Sequence, residues 1–219
     1  MRVFDILGPV MVGPSSSHTA GACRLAMVAR ALLDEKPVKA HIRLYGSFAK
    51  TYQGHCTDRA IIGGLLGYSP DDDRLRDSFS YADKEGLSYS FEEAESETLH
   101  PNSADLILEG QTKKVTVTAS SIGGGAIKVV KINGADVDFS AEYPTTILYH
   151  KDVRGIIAKY SELFARYGVN IAFMRVYRHK IGSDAITVIE SDHSISEELL
   201  EKIRNLENVD GAVYLPAVK

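Results

Sequence analysis

Between residues 104 and 139 the chain strings together four runs, "ADLILEG", "KKVTVTASSI", "GAIKVVKING" and "ADVDF", rich in alternating apolar and polar side chains. A period of two places one set of side chains on each face of a strand. Gly110 and Gln111 divide the first pair of runs, and Asn133 and Gly134 the last, dipeptides suited to tight reversal. An antiparallel meander follows, and the remaining elements must cover its apolar face. Upstream, Leu25, Val28, Ala29 and Leu32 recur at helical spacing until Pro37, which predicts a helix over residues 18–35. Val38, Ala40, Ile42 and Leu44 then alternate with polar residues as one strand. Thr57 or Asp58 is placed to cap a helix bearing Ile61, Ile62, Leu65 and Leu66, although two glycines inside it weaken the pattern. Residues 71–97 read as one short helix and one short strand among loops.

"AEYPTT", residues 141–146, interrupts the meander, and a different alternation follows. Residues 146–152 read as strand and 155–167 as helix, with Ile156, Ile157, Tyr160, Leu163, Phe164 and Tyr167 on one face. "VNIAFMRVYR" and "DAITVIES" are strands, Ser196 caps a helix bearing Leu199, Leu200, Ile203 and Leu206, and "GAVYLP" is a last strand. The order βαββαβ is that of a ferredoxin-like fold with helices on one side of an antiparallel sheet. The fold class is α+β, with domains at residues 1–142 and 147–219.

Composition narrows the function. Net charge is −4 with no basic block, which argues against nucleic acid as a partner. The stretch from Met1 to Leu7 is too quickly interrupted by charge and glycine for a secretory signal, and no apolar run approaches the roughly 20 residues of a membrane span. A cytoplasmic protein without membrane partners is the expectation. Cys23 and Cys56 are the two cysteines, too few for a disulfide framework or a cage of thiolate ligands.

Four stretches carry residues suited to chemistry. "GPSSSHTAG" places Ser15, Ser16, Ser17, His18 and Thr19 where a helix starts, and unpaired N–H groups there favour an anion such as a carboxylate. The plainer reading is a capping segment. In "YGSFAKTYQGHCTDRA", His55 stands between Gly54 and a helix start, where an imidazole can face a cleft and move protons, or simply lie on the surface. "LHPN" puts His100 and Asn102 at a turn. "SSIGGGAI" has three glycines, Gly123 and Gly124 among them, marking either a hairpin turn or close approach of something to the main chain.

Taken together, "GPSSSHTAG", "YGSFAKTYQGHCTD", "LHPN" and "SIGGG" resemble, in identity, order and spacing, the β chain of the iron–sulfur L-serine dehydratases. Residues 1–142 resemble that family's β domain, related to the allosteric substrate-binding domain of some phosphoglycerate dehydrogenases. Residues 147–219 resemble an ACT domain, with Asp152 and Gly155 as its D-x-x-G and "YGVNI" ending at Ile171. The resemblance implies a lyase that converts L-serine to pyruvate and ammonia with a [4Fe–4S] cluster. The cluster would be held by an α chain, because two cysteines cannot supply its three or four thiolates. It implies a β chain inactive alone, with His55, His18 and His100 as catalytic candidates. Ser15, Ser16, Ser17, Thr19, Asn102, Gly123 and Gly124 would bind substrate. Gly155, Asn170 and Ile171 are the positions at which the ACT domain would bind an effector, L-serine itself being one candidate, or the domain would serve to form a homodimer. A different class of function, a free-standing amino-acid sensor without catalysis, fits the same residues. A hydrolase built on Ser17 and His18 has no visible third partner.

Overall fold

The computed structural model describes residues 9–218, so the stretch from Met1 to Leu7 lies outside the described residues. The chain divides into two compact units, Met1–Ser140 and Ala141–Lys219. In the first, a π-helical turn, Ser16–Gly21, runs into helix α1, Ala22–Leu33. Leu25, Val28, Ala29 and Leu32 are all buried, and each large apolar side chain so covered stabilises the fold by roughly 1.5–3 kcal/mol. The helix stops short of residue 35 because Asp34 turns left-handed, φ 54°, and donates its N–H to Ala31.

Strand β1, Lys39–Tyr45, is followed by α2, Gly46–Thr51, α3, Thr57–Leu66, a 3-10 turn, Asp73–Asp77, α4, Ser78–Glu85, and β2, Ser88–Ala94. The meander is β3, Ser103–Glu109, β4, Lys114–Gly123, β5, Ala126–Ile132, and β6, Ala135–Phe139. All six strands form one sheet in the order β2-β1-β3-β4-β5-β6. Pairing is antiparallel except between β1 and β2, which run parallel. That pair is possible because the three helices between them give the chain length to cross over.

The helix α3 starts at Thr57, but neither Thr57 nor Asp58 is its cap. Cys56 stands at the cap in a left-handed conformation, φ 58°, with no side-chain hydrogen bond. The Asp58 carboxylate is used inside the first turn, where it accepts the Arg59 N–H at 2.7 Å. The two interior glycines mark contact points. A methyl at Gly64 would overlap the Cys23 carbonyl and come within 2.8 Å of Ala26 Cβ, and one at Gly63 would overlap Leu75. Their cost in helix propensity is what lets α1 and α3 touch.

The second unit contains β7, Thr145–Lys151, α5, Ile156–Arg166, β8, Ile171–Arg178, β9, Asp184–Ser191, α6, Glu197–Arg204, and β10, Val209–Leu215. The sheet order β10-β7-β9-β8, antiparallel throughout, is the ferredoxin-like arrangement. Leu148 and Ile189 of the sheet pack with Tyr160 and Phe164 of α5 and with Leu199 and Ile203 of α6. Ser196 caps α6, its Oγ accepting the Leu199 N–H at 3.2 Å. At the sheet's end, β8 leaves Phe173 and Val176 exposed.

Candidate functional site

Three of the sequence stretches meet around the π-helical turn, and the fourth closes on its far side. Ser15 precedes the turn with extended backbone, and its Oγ accepts the His18 N–H at 3.2 Å. The Thr19 N–H bonds the Ser15 carbonyl at 2.8 Å, while the Thr19 hydroxyl turns away and donates to the His55 carbonyl at 3.2 Å. Ser16 and Ser17, half-buried, carry the first N–H groups of the helix, which have no carbonyl one turn back. The widened helix at this point is the kind of irregularity that recurs at functional sites.

The Thr19 bond fixes the loop that carries His55, and the rings of His18 and His55 lie edge to face with centroids 4.7 Å apart. Phe48 also meets the His18 ring edge to face, with centroids 5.3 Å apart. His18 Nε2 faces Ser47 Oγ at 3.1 Å and its Nδ1 faces Ser15 Oγ at 3.4 Å. Burial first, and the His55 ring second, hold the His18 imidazole below its ordinary basicity. His55 Nδ1 is buried with no hydrogen-bond partner.

Ser47 leads onward to the "LHPN" turn. Its N–H donates to the Pro101 carbonyl at 2.7 Å, and Gly46 adopts φ 54°, where a methyl group would sit 2.7 Å from Pro101 Cα. Only a residue without a side chain allows that approach. Asn102 passes its carbonyl to the Ser121 N–H at 2.8 Å, and Ser121 lies so close to Gly21 that a methyl there would overlap its Oγ. The contacts therefore close a circuit, from His18 through Ser47, Pro101, Asn102 and Ser121 back to Gly21. Asn102 Oδ1 and Ser121 Oγ, like His55 Nδ1, are buried without partners.

The other candidates are placed as follows. His100 is exposed, its Nδ1 accepting the Asn102 N–H at 3.1 Å, so the ring shapes the turn. Gly124 and Gly125 form the two-residue turn between β4 and β5 with φ 59° and 82°, the left-handed values that such a hairpin demands. Gly123, φ 110°, and Gly124 face open space, whereas the Gly125 carbonyl accepts from Arg24 Nη1 at 2.7 Å, which ties the hairpin to α1. The run thus makes a hairpin turn, and close approach to the main chain occurs at Gly125 and not at Gly123 or Gly124. Ser47, Ser121, Phe48 and Arg24 were not singled out from the sequence; Gly46 and Gly21, each inside a quoted motif, were the signal that something packs close there.

In the second unit Gly155 caps α5 at φ 84°, exposed and with open space about it. The Asp152 carboxylate accepts the Gly182 N–H at 3.0 Å and pairs with Arg178. These bonds hold its acidity above that of a free carboxylate, that is, its pKa below the ordinary value. Asn170 Nδ2 donates to Asp192 at 2.7 Å, and Ile171 opens β8 partly buried beside the core.

As for metal, the donor set does not fit a cluster. Cys23 is buried, its Sγ 3.2 Å from the Tyr68 carbonyl, and burial pushes its thiol up to about 12. Among the described residues no group of three or more His, Cys, Asp or Glu side chains is arranged to hold a metal ion, and no helix is long and apolar enough to cross a membrane.

The family model for the serine dehydratase beta chain matches residues 2–131, and the ACT domain model matches residues 145–208. The chain is 40% identical over 214 residues to the "L-serine dehydratase, beta chain" of Peptoniphilus asaccharolyticus, covering 97% of this chain and 96% of the relative. It is 40% identical over 207 residues to the "Probable L-serine dehydratase, beta chain" of Bacillus subtilis (strain 168), covering 94% of each. A stretch of 77 residues is 43% identical to "L-serine dehydratase 2" of Escherichia coli (strain K12), covering 32% of this chain and 16% of that relative.

Proposed function

This chain belongs to the L-serine dehydratase beta-chain family, and on that premise we propose that it is the subunit of a [4Fe–4S]-dependent L-serine dehydratase that does not carry the cluster. The observation that supports this most is the circuit around His18, with three buried polar atoms left unmet. Burying such an atom without a partner costs about 1–3 kcal/mol, and a polar ligand would offset that. The longer relative supports a divided protein as well, since its matched stretch is 16% of its length and leaves room for a cluster-binding part.

The residues suit an amino acid. The helix start at Ser16 and Ser17, with its free N–H groups and hydroxyls, receives the carboxylate. Asn102 Oδ1, an acceptor, receives the ammonium group. His55, whose Nδ1 has no other engagement, takes the α proton as general base. The His55 loop is held in place by Thr19, and His18 packs against its ring. Deamination of L-serine also needs a Lewis acid for departure of the β-hydroxyl, which the cluster held by an α chain would supply. Through this chain's residues no such step runs.

For the ACT domain, the side chains of the Asp152 loop and Asn170 are bonded to neighbours, whereas β8 presents an exposed apolar edge. That supports a homodimer joined through this domain, with the exposed Gly155 backbone left as the place where an effector such as L-serine would approach.

Anaerobic co-expression with the α chain, followed by iron content and pyruvate formation, tests the assignment. The pair is expected to be brown and active and this chain alone colourless and inactive. Deamination of L-serine by this chain unaccompanied would overturn it, and saturable serine binding without turnover in any pairing would favour the sensor.

A further inference from the structure

We propose that Ser47 is a positioning residue which, with Ser15, immobilises the His18 imidazole, so that His18 serves as the fixed wall of the site and His55 alone is free to carry the proton. This rests on the lyase reading of the same cluster and names a division of labour within it.

The two histidines differ in how they are held. His18 is engaged at both ring nitrogens, Nε2 by Ser47 Oγ at 3.1 Å and Nδ1 by Ser15 Oγ at 3.4 Å. Each hydroxyl can donate or accept, so a neutral ring with one N–H is satisfied in this pocket. Phe48 supplies an apolar side, and the titratable ring of His55 packs edge to face against that of His18. A second charge beside the first would be disfavoured, and burial weighs on His18. His55, in contrast, has Nδ1 buried and unmet.

Ser47 is itself set by backbone. Its N–H is fixed on the Pro101 carbonyl, and Gly46 makes that approach possible by its left-handed conformation. The hydroxyl thus arrives at Nε2 from a peptide anchored on both sides, as a group that acts through another must. No part of Ser47 needs to touch substrate.

Ring-nitrogen NMR of the histidines in the intact chain reads this directly. The wild-type chain is expected to show His18 in one tautomer, Ser47→Ala to show exchange between two, and Ser47→Thr to restore the single form. With the α chain present, Ser47→Ala is expected to lower kcat about fivefold to tenfold, the worth of one hydrogen bond, while KM stays within about twofold. An unchanged His18 tautomer in Ser47→Ala, or a loss of kcat that Ser47→Thr does not recover, would overturn the proposal. The spectra need no partner chain, so an inactive wild-type pair would sink the lyase reading while the Ser47 contact was still decided by NMR.

Discussion

One cluster of polar groups in each unit shows two opposite ways of meeting buried hydrogen-bonding atoms. In the C-terminal unit His150, 1% exposed, bonds the Lys151 carbonyl through Nδ1 at 2.9 Å and Thr187 Oγ1 through Nε2 at 2.7 Å, and the Tyr160 hydroxyl meets the same Thr187 at 3.2 Å. Three polar side chains satisfy one another inside an apolar core, and such a closed network specifies a fold without asking for a ligand. In the N-terminal unit His55 Nδ1, on the loop held by the Thr19 hydroxyl, and Asn102 Oδ1 and Ser121 Oγ, on the circuit from His18 to Gly21, have no such partners. Thr146 Oγ1 is unmet in the C-terminal unit, but no comparable cluster surrounds it among the described residues. The lesson is that a histidine's neighbourhood, more than its burial, separates a structural role from a chemical one.

If that contrast is right, the largest effect belongs to His55. His55→Ala in the proposed two-chain enzyme is expected to lower turnover by about 10²–10⁴-fold, the range of a lost general base, with assembly by gel filtration unchanged. Turnover within about twofold of wild type, well short of a general base's contribution, would put the proton elsewhere. Next come the glycines. Gly64→Ala forces a methyl against the Cys23 carbonyl, a backbone atom that cannot swing aside, and is expected to cost about 1–3 kcal/mol in urea unfolding. Gly155→Ala meets open space and bears only the cost of a left-handed φ, about 1–2 kcal/mol, without repacking. A larger loss at Gly155 than at Gly64 would mean the first unit's helices are less tightly constrained than the contacts imply.

Much of this was legible in the chain itself. The stripe Leu25, Val28, Ala29 and Leu32 and the alternation of Ala40, Ile42 and Leu44 are buried as their periods require. The βαββαβ order is present, because short strands and helices with their own caps, such as Ser196, carry local signals. The parallel β1–β2 pair was not legible, since partner and direction depend on three intervening helices and not on either strand's pattern. Nor was the left-handed Cys56, a conformation that its side chain does not advertise. In the site, His18, His55 and Asn102 stand out as residue types suited to chemistry. Ser47 and Ser121 do not, because a serine's importance comes from what folds against it.

A smaller effect sharpens the structural half of the contrast. Tyr160→Phe removes one hydroxyl from Thr187 but leaves His150 bonded on both sides, so stability is expected to fall by only about 1 kcal/mol. Scanning calorimetry checks this, and a loss of several kcal/mol would mean the network acts as an indivisible unit.

The smallest effect is one of pH, and its window distinguishes the units. His18 is less basic folded than unfolded, so below the ordinary histidine pKa of about 6.5 the unfolded chain binds the proton more readily. The contribution of His18 to the N-terminal unit is therefore fully present above that value and lost as pH falls below it. Asp58 works in the opposite sense, because burial raises its carboxyl above the ordinary 3.8, so its contribution is present below that value and lost as pH rises through the raised one. In the C-terminal unit Asp152 is held below 3.8, so its contribution is present above that value and lost only as pH drops past it. Hydrogen exchange between pH 7.5 and 5.5, corrected for intrinsic rates, should show α1 amides losing protection, and His18→Gln should remove that loss. Equal loss in His18→Gln would place the titrating group elsewhere and leave the polar circuit without the buried, proton-poor ring on which it is built.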